Sequence, residues 1–255
     1  MSEPRYIIGV DVGGTYTDIL CLDVETQDLQ SGKVPSMPGN QWRGVLSALE
    51  ELGIDGGDIS AFVHGTTIAT NALLERKGAK TALVTTEGFR DTLEIGRTRR
   101  LIGGLFDIKF TRPKPLVSRD LRLEVPERVD AEGENIRPLD GFDFSEIASR
   151  LRDANVETVT VCFLNSFLND ANEQYAADAL QSLLGDLPVC YSTGVVREKG
   201  EFERFSTCVL NAYLTPVVGK YLDTLQNELQ GQGLSAPVSI MGSNGGVMTL
   251  TAAAK

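Results

Sequence analysis

The chain has 255 residues, of which 42% are hydrophobic, 7% aromatic and 23% charged; that length holds one large domain or two modest ones without staples. Asp and Glu total 35 against 24 Lys and Arg, a formal net charge of −11, and such a field repels a phosphate backbone, so no nucleic-acid partner is expected. No apolar run approaches the ~18 residues of a membrane span and the first residues have no signal-peptide pattern, so the expectation is a cytoplasmic chain without a membrane partner. Cys21, Cys162, Cys190 and Cys208 are far apart in sequence, with no Cys-x-x-Cys pair. They read as small buried hydrophobes in a reducing compartment. A single histidine, His64, excludes a multi-histidine metal centre.

In chain order, Tyr6-Ile-Ile-Gly-Val-Asp-Val12 predicts an apolar strand that ends at Gly13-Gly14. The β-branched run 15–23 has no 3.6-residue stripe, so the glycines join two strands in a hairpin. A third strand follows over 29–35. Trp42, Val45, Leu46, Leu49 and Leu52 recur at helical spacing, and Gly53 closes that helix. A buried strand over 59–64 leads to a helix over 66–77 with Gly78 as its stop, and then to a short strand over 81–85.

The stretch 97–115 differs. It is basic, with Arg97, Arg99, Arg100, Lys109, Arg112 and Lys114, and has no period, so it reads as a long ordered loop or lid. Beyond it come a strand within 121–129 with a turn near Glu132-Gly133, a helix over 144–154, a strand over 158–164 and a helix over 172–184. A short strand over 188–191 is followed by helices over 201–214 and 217–229, divided by Pro216. A last strand over 238–241 ends in Ser243-Asn-Gly-Gly246. The pattern predicts an α/β fold, a mixed sheet with an antiparallel start and flanking helices. The expected domains are residues 1–115 and 116–255, and Thr251-Ala-Ala-Ala-Lys255 looks like a cut through a longer chain.

Three polar clusters are candidates for chemistry. In Asp11-Val-Gly-Gly-Thr15 the glycine pair lets backbone N–H groups approach an anion, and Asp11 at a strand end suits Mg²⁺ beside bound phosphates. Thr17 and Asp18 extend its rim. A plain hairpin turn is the competing account. In His64-Gly-Thr-Thr-Ile-Ala-Thr-Asn71, Thr66 or Thr67 caps a helix whose first N–H groups suit an anion; ordinary capping with a core His64 competes. Asn244 lies in the third cluster, beyond the end of the last strand, where ligands of open α/β sheets collect; a simple turn competes there too.

The segment Ile8-Gly-Val-Asp-Val-Gly-Gly-Thr-Tyr-Thr-Asp18 resembles the first phosphate motif of the sugar-kinase, Hsp70 and actin superfamily. More narrowly, His64-Gly-Thr-Thr-Ile-Ala-Thr-Asn-Ala72, Leu83-Val-Thr-Thr-Glu-Gly-Phe-Arg-Asp91, Ile95-Gly-Arg97 and Ser243-Asn-Gly-Gly-Val-Met248 resemble the amino-terminal region of the hydantoinase A, 5-oxoprolinase and acetone carboxylase family. The resemblance runs over essentially the whole chain. It implies an actin-like ATPase-type fold and an ATP- and Mg²⁺-dependent hydrolase that opens a cyclic amide after phosphorylating its carbonyl oxygen. It implies Asp11 on Mg²⁺, Gly13, Gly14, Thr15 and Thr17 on phosphates, and His64, Thr66, Thr67, Asn71 and Asn244 near the substrate cleft. No catalytic base or nucleophile is assigned. A ketone-carboxylating subunit and a non-catalytic ATP-gated regulator are the alternatives, and a hydantoinase B-like subunit and oligomerisation are the implied partnerships. Family members are longer and carry a second glycine-rich phosphate motif, so these 255 residues alone are expected to bind nucleotide weakly or not at all and to turn nothing over.

Overall fold

A computed structural model describes residues 5–37, 39–97, 109, 111 and 113–254. The chain divides into two compact units, residues 1–77 with 217–255, and residues 78–216; residue 115 therefore lies inside the second unit. Most of the 97–115 segment, including Arg99, Arg100 and Arg112, lies outside the described residues. No helix among the described residues is long and apolar enough to cross a membrane.

The first unit is built on a six-stranded sheet. Strands β1 (Tyr6–Val12), β2 (Tyr16–Asp23) and β3 (Leu29–Pro35) form an antiparallel meander. β1 also pairs in parallel with β4 (Ile59–Thr66), and β4 pairs in parallel with β11 (Val238–Met241). The sheet ends in a short antiparallel strand, β12 (Val247–Thr249), all three residues of which are exposed. The strand order is β12-β11-β4-β1-β2-β3.

Alternation sets the faces. Ile8, Val10 and Val12 point into the core, together with Ile19, Cys21 and Phe62. They meet helix α1 (Gln41–Leu52), which ends as expected at Gly53 in the left-handed region, φ 64°. Helix α2 (Ile68–Leu74) follows β4 and is shorter at both ends than the sequence suggests.

The second unit holds a wholly parallel sheet, β10-β9-β5-β6, made by β5 (Thr81–Thr86), β6 (Arg122–Val125), β9 (Thr158–Cys162) and β10 (Val189–Tyr191). Every residue of β5 and of β9 is buried, the signature of strands covered on both faces. Helices α4 (Ser145–Asp153) and α5 (Ala171–Leu184) supply apolar cover. A two-stranded ladder of β7 (Arg128–Val129) and β8 (Asn135–Arg137) brackets the turn foreseen at Glu132-Gly133. Two short helices, α3 (Thr92–Ile95) and α6 (Ser192–Val195), belong to this unit, and a third, α8 (Leu250–Ala253), to the first.

One expectation is overturned. Pro216 does not divide two helices: a single helix, α7 (Glu201–Gly231), runs through it. A mid-helix proline removes one N–H and crowds the carbonyl four residues earlier, at a cost of ~3 kcal/mol. Burial on both sides of it outweighs that. Phe205, Cys208, Val209 and Ala212 are buried in the second unit, and Tyr221, Leu222, Leu225 and Leu229 in the first, each worth roughly 1.5–3 kcal/mol for a large apolar side chain. Beside the proline, Thr215 donates its hydroxyl back to the Asn211 carbonyl at 2.8 Å.

Gly44 shows how closely α1 lies on the sheet. A Cβ there would stand 2.6 Å from Thr17 Oγ1. Gly44→Ala should therefore lower stability by about 1–3 kcal/mol, the usual cost of overpacking, although alanine is the better helix former by ~1 kcal/mol. Urea titration of the two proteins measures the sign; a stabilised variant would show that α1 has room to lift.

Candidate functional site

Strands β1, β4 and β11 run parallel, so their carboxyl ends lie at one edge of the first unit's sheet. Ligands of open α/β sheets bind beyond such ends. Three of the clusters picked from sequence leave the sheet there: the Gly13–Gly14–Thr15 connection after β1, Thr66–Thr67 after β4, and the turn containing Asn244 after β11.

The β1–β2 connection is three residues long. It is closed by the Gly13 N–H donating to the Tyr16 carbonyl at 3.0 Å, and the Thr15 carbonyl accepts from Ser36 N–H at 2.9 Å. Among the described residues, neither Gly14 nor Thr15 donates its N–H to another backbone group. Gly14 is not in the left-handed region, and a Cβ added to it would meet nothing nearer than Asn71 Nδ2, 4.0 Å away. The turn itself does not demand glycine at that position.

Around this turn the helix end is tied on. Thr67 N–H donates to the Val12 carbonyl at 3.4 Å, and the Thr67 hydroxyl lies 3.5 Å from the same oxygen. Asn71 Nδ2 donates to Thr67 Oγ1 at 3.2 Å, while Thr66 Oγ1 accepts from Ile68 N–H at 3.3 Å. Asn71 is thus brought beside Gly14, as one helical turn from Thr67 permits.

Asp11 is exposed on the sheet face opposite the core. The register sets Asp18 directly across from it on β2 and Gly65 directly across on β4. Asp18 is paired with Lys33 Nζ at 2.8 Å. A Cβ at Gly65 would stand 3.0 Å from Asp11 Oδ1, so the glycine leaves the carboxylate its space. The two aspartates and Gly65 border an open hollow of about 1190 Å³ on this face, with Ile7, Leu20 and Met241 among its apolar walls. Among the described residues no group of three or more His, Cys, Asp or Glu side chains is arranged to hold a metal. Mg²⁺ needs no such cage, since one or two carboxylates with water and phosphate oxygens suffice. Asp11, exposed and unencumbered, fits that role.

Two residues named with this site sit elsewhere in the unit. Thr17 is fully buried on the core face, its Oγ1 3.0 Å from Ser36 Oγ. His64 is also fully buried, with Nε2 2.8 Å from the Tyr221 hydroxyl and, among the described residues, no hydrogen bond of normal geometry at Nδ1. Alternation along β4 puts His64 and Gly65 on opposite faces. Burial pulls the imidazole down to about 4, opposed in part by the backbone of Val10. Asn244 is exposed, its Oδ1 accepting from Gly246 N–H at 3.0 Å.

The polar groups least legible in sequence lie in the second unit. Glu173, fully buried, accepts from Phe163 N–H at 2.9 Å, Ser192 Oγ at 2.7 Å, Thr193 N–H at 2.9 Å and Thr193 Oγ1 at 2.8 Å. Arg204, also buried, donates to Ser192 Oγ and to the Phe163 and Glu198 carbonyls. Glu127 is buried against Thr86 and Asn172, and desolvation pushes its carboxyl up. Among the charges at 90–97, Arg119 grips Asp91 with two bonds of 3.0 Å, and the buried Arg122 reaches Glu94 at 3.1 Å. Arg122 lies well beyond the 83–97 motifs in sequence.

A mixed sheet opened by an antiparallel hairpin, with a glycine turn at the carboxyl edge and flanking helices, defines an α/β protein of the actin-like ATPase type. Residues 7–184 match the hydantoinase/oxoprolinase N-terminal region and residues 204–255 match hydantoinase/oxoprolinase. The chain belongs to the hydantoinase/oxoprolinase family. It is 37% identical to an uncharacterized protein of Methanocaldococcus jannaschii over 96% of this chain and 36% of the relative. It is 32% identical to the caprolactamase subunit alpha of Pseudomonas jessenii over 97% of this chain and 36% of that one. The crystal structure of that organism's ATP-dependent caprolactamase superposes with a TM-score of 0.84 at 33% identity, covering 95% of this chain and 36% of the other. A nucleotide-free acetone carboxylase gives 0.81 at 25% identity, covering 96% and 37%. The chain thus spans little more than a third of the length of these relatives.

The buried histidine yields a pH prediction. Its folded value of about 4 lies below the unfolded 6.5, so between these values the unfolded chain binds the proton and the folded chain does not. Stability should fall as pH drops from 6.5 to 4, by about 3 kcal/mol from this group, and be unaffected by it above 6.5. Urea unfolding across that range, compared with His64→Gln, measures the difference; equal slopes would mean that His64 takes up its proton while folded.

Proposed function

We propose that this chain is the amino-terminal part of an ATP-dependent enzyme that activates an inert carbonyl, and that its Gly13–Gly14–Thr15 turn receives nucleotide phosphates. The observation that carries this reading is Gly14. The fold leaves space for a side chain there, the N–H groups of Gly14 and Thr15 have no backbone acceptor among the described residues, and Asn71 stands beside it. A residue that the turn does not need as glycine is explained by an anion approaching its backbone.

In this reading Asp11 would hold Mg²⁺ through water, Gly14 and Thr15 offer their N–H groups and Thr15 its hydroxyl to the phosphates, and Gly13, its N–H committed to the Tyr16 carbonyl, closes the turn around them. Thr17 supports the second strand from below, and Thr66, Thr67, Asn71 and Asn244 face the reacting group from the same sheet edge. His64 acts from the core through Tyr221, keeping β4 and its terminal threonines in place. A metal ion held there would supply charge neutralisation for the phosphates. The substrate class is a cyclic amide. Its carbonyl oxygen takes the γ-phosphoryl group as ADP leaves, a first water adds to the activated carbon, the C–N bond breaks as the ring nitrogen leaves as the protonated amine to give an acyl phosphate, and a second water hydrolyses that acyl phosphate to the ring-opened amino acid and phosphate. The names of the caprolactamase relatives support this choice. The likeness to acetone carboxylase supports a second reading, activation of a ketone and bicarbonate. Relatives named as subunits support a partner chain of hydantoinase B type.

In the complete protein, Gly14→Ala should weaken Mg-ATP binding by about 1–3 kcal/mol, the range for leaving buried polar partners unmade, while leaving the melting temperature of the ligand-free protein within a degree or so, as expected for an unstrained surface change. Titration calorimetry beside a thermal melt tests this; unchanged affinity would reduce the glycine pair to a turn. Asp11→Ala should abolish Mg²⁺-dependent ATP cleavage in a protein that still folds. ADP release stimulated by a lactam, but not by ketone plus bicarbonate, selects the amide reading; the reverse pattern selects carboxylation.

A further inference from the structure

The cysteines, separated in sequence, are not isolated in space. Thr160 and Cys162 are two residues apart on β9 and so project from the same face of the sheet. Cys190 on the edge strand β10 is the register partner of Thr160, which places it alongside. Helix α7 brings Cys208 to the same spot, with Cys208 Sγ 2.7 Å from Thr160 Oγ1 and 3.7 Å from Cys190 Sγ. Thr160 Oγ1 also lies 3.5 Å from Cys162 Sγ. Cys162 and Cys208 are fully buried, whereas Cys190 is half-buried. All three belong to the second unit.

We propose that Cys190 and Cys208 form an oxidisable dithiol, a modification site whose co-reactant is a low-molecular-weight disulfide and whose product is a covalent link between strand β10 and helix α7. The sulfur atoms already touch. A disulfide holds them at about 2.05 Å, so closure brings them together by roughly 1.7 Å, a displacement within reach of rotation about the two Cα–Cβ bonds. Cys190, as the accessible member, attacks the small disulfide. One sulfur–sulfur bond breaks, a mixed disulfide forms on Cys190 and one small thiol leaves with the proton from Cys190. Cys208 then attacks the Cys190 sulfur and expels the second small thiol, which takes the proton from Cys208. Two protein thiols are oxidised and one disulfide is reduced to two thiols, so electrons and protons balance.

The surroundings make this a slow, stored reaction. The hydrogen bond with Cys208 and burial both push the Cys190 thiol up, and the contact with Cys162 and burial do the same for Cys208. Both residues are therefore thiols at neutral pH, resistant to brief exposure and responsive to a sustained excess of disulfide. Cys162 also touches Cys208 but is fully buried, so the half-buried Cys190 is the thiol a small disulfide reaches, and Cys21 lies in the other unit.

The test incubates the folded protein with excess oxidised glutathione at mildly alkaline pH, blocks remaining thiols in acid, unfolds, and counts thiols with tandem mass mapping. The expected result is a fall from four free thiols to two, with the link assigned to Cys190 and Cys208. Cys190→Ser should keep its three thiols under the same treatment. The proposal is overturned if the folded chain keeps four thiols under conditions that oxidise the urea-unfolded chain. It is equally overturned by a glutathione adduct that persists on Cys190, by a link that includes Cys162 or Cys21, or by Cys190→Ser losing two thiols. The wild-type map decides the matter even if the serine variant does not fold.

Discussion

Everything in the first unit depends on the register of β1. This strand has neighbours on both sides, β2 antiparallel and β4 parallel, and its side chains alternate between core and open face. A slip of one residue would expose Ile8, Val10 and Val12 and turn Asp11 inward. Losing three buried aliphatic side chains costs several kcal/mol, and an unpaired carboxylate in their place costs more. The same alternation fixes Asp11 beside Gly65 and opposite Asp18, and it delivers the chain to Gly13 at the sheet edge. Core packing and site geometry are two consequences of one constraint.

The second unit solves a different problem. A parallel sheet buried on both faces has no solvated side on which to place polar groups. Its strands nevertheless carry Thr81, Thr85, Thr86, Thr158 and Thr160, all buried. Several of these hydroxyls return their hydrogen bonds to the protein: Thr85 donates to the Cys162 carbonyl at 2.8 Å and Thr81 to the Ala79 carbonyl at 3.0 Å. Beyond the strand ends, Glu173 and Arg204 are satisfied by named partners rather than by each other. Four donors around one carboxylate offset its desolvation, so the charge is tolerated without a direct ion pair. Removing one partner would leave the rest of that network exposed to the full cost of burial.

The two units share helix α7, and that explains why Pro216 misleads. Local rules weigh one missing hydrogen bond and a steric clash, and they end the helix. The apolar residues on either side are committed to different cores, and both commitments favour continuing the helix. Hydropathy along α7 gives only a faint stripe for the same reason, because no single face is buried along its whole length. The cysteines illustrate a related blindness. Spacing in sequence reads Cys162, Cys190 and Cys208 as unrelated, since the parallel crossover that sets β10 beside β9 is invisible to it.

Several features were determined by the sequence alone. The apolar run 6–12 and the β-branched run 15–23, without a 3.6-residue stripe and joined at Gly13–Gly14, dictated the hairpin, and the apolar spacing of Val45 to Leu52 before Gly53 dictated α1 and its end. The motifs at Asp11–Thr15 and His64–Asn71 marked the candidate site because their residue types carry local chemistry: a glycine pair open to an anion, caps and a carboxylate at a strand end. Tertiary structure decided which members share a face. It placed Asn71 beside Gly14 and gathered three strand ends at one edge. It also sent Thr17 and His64 to the core side, one beneath Gly44 and the other against Tyr221. Local pattern fixes torsions and alternation over a few residues, whereas faces, partners and burial depend on which distant strands pair, and pairing is settled by the whole core.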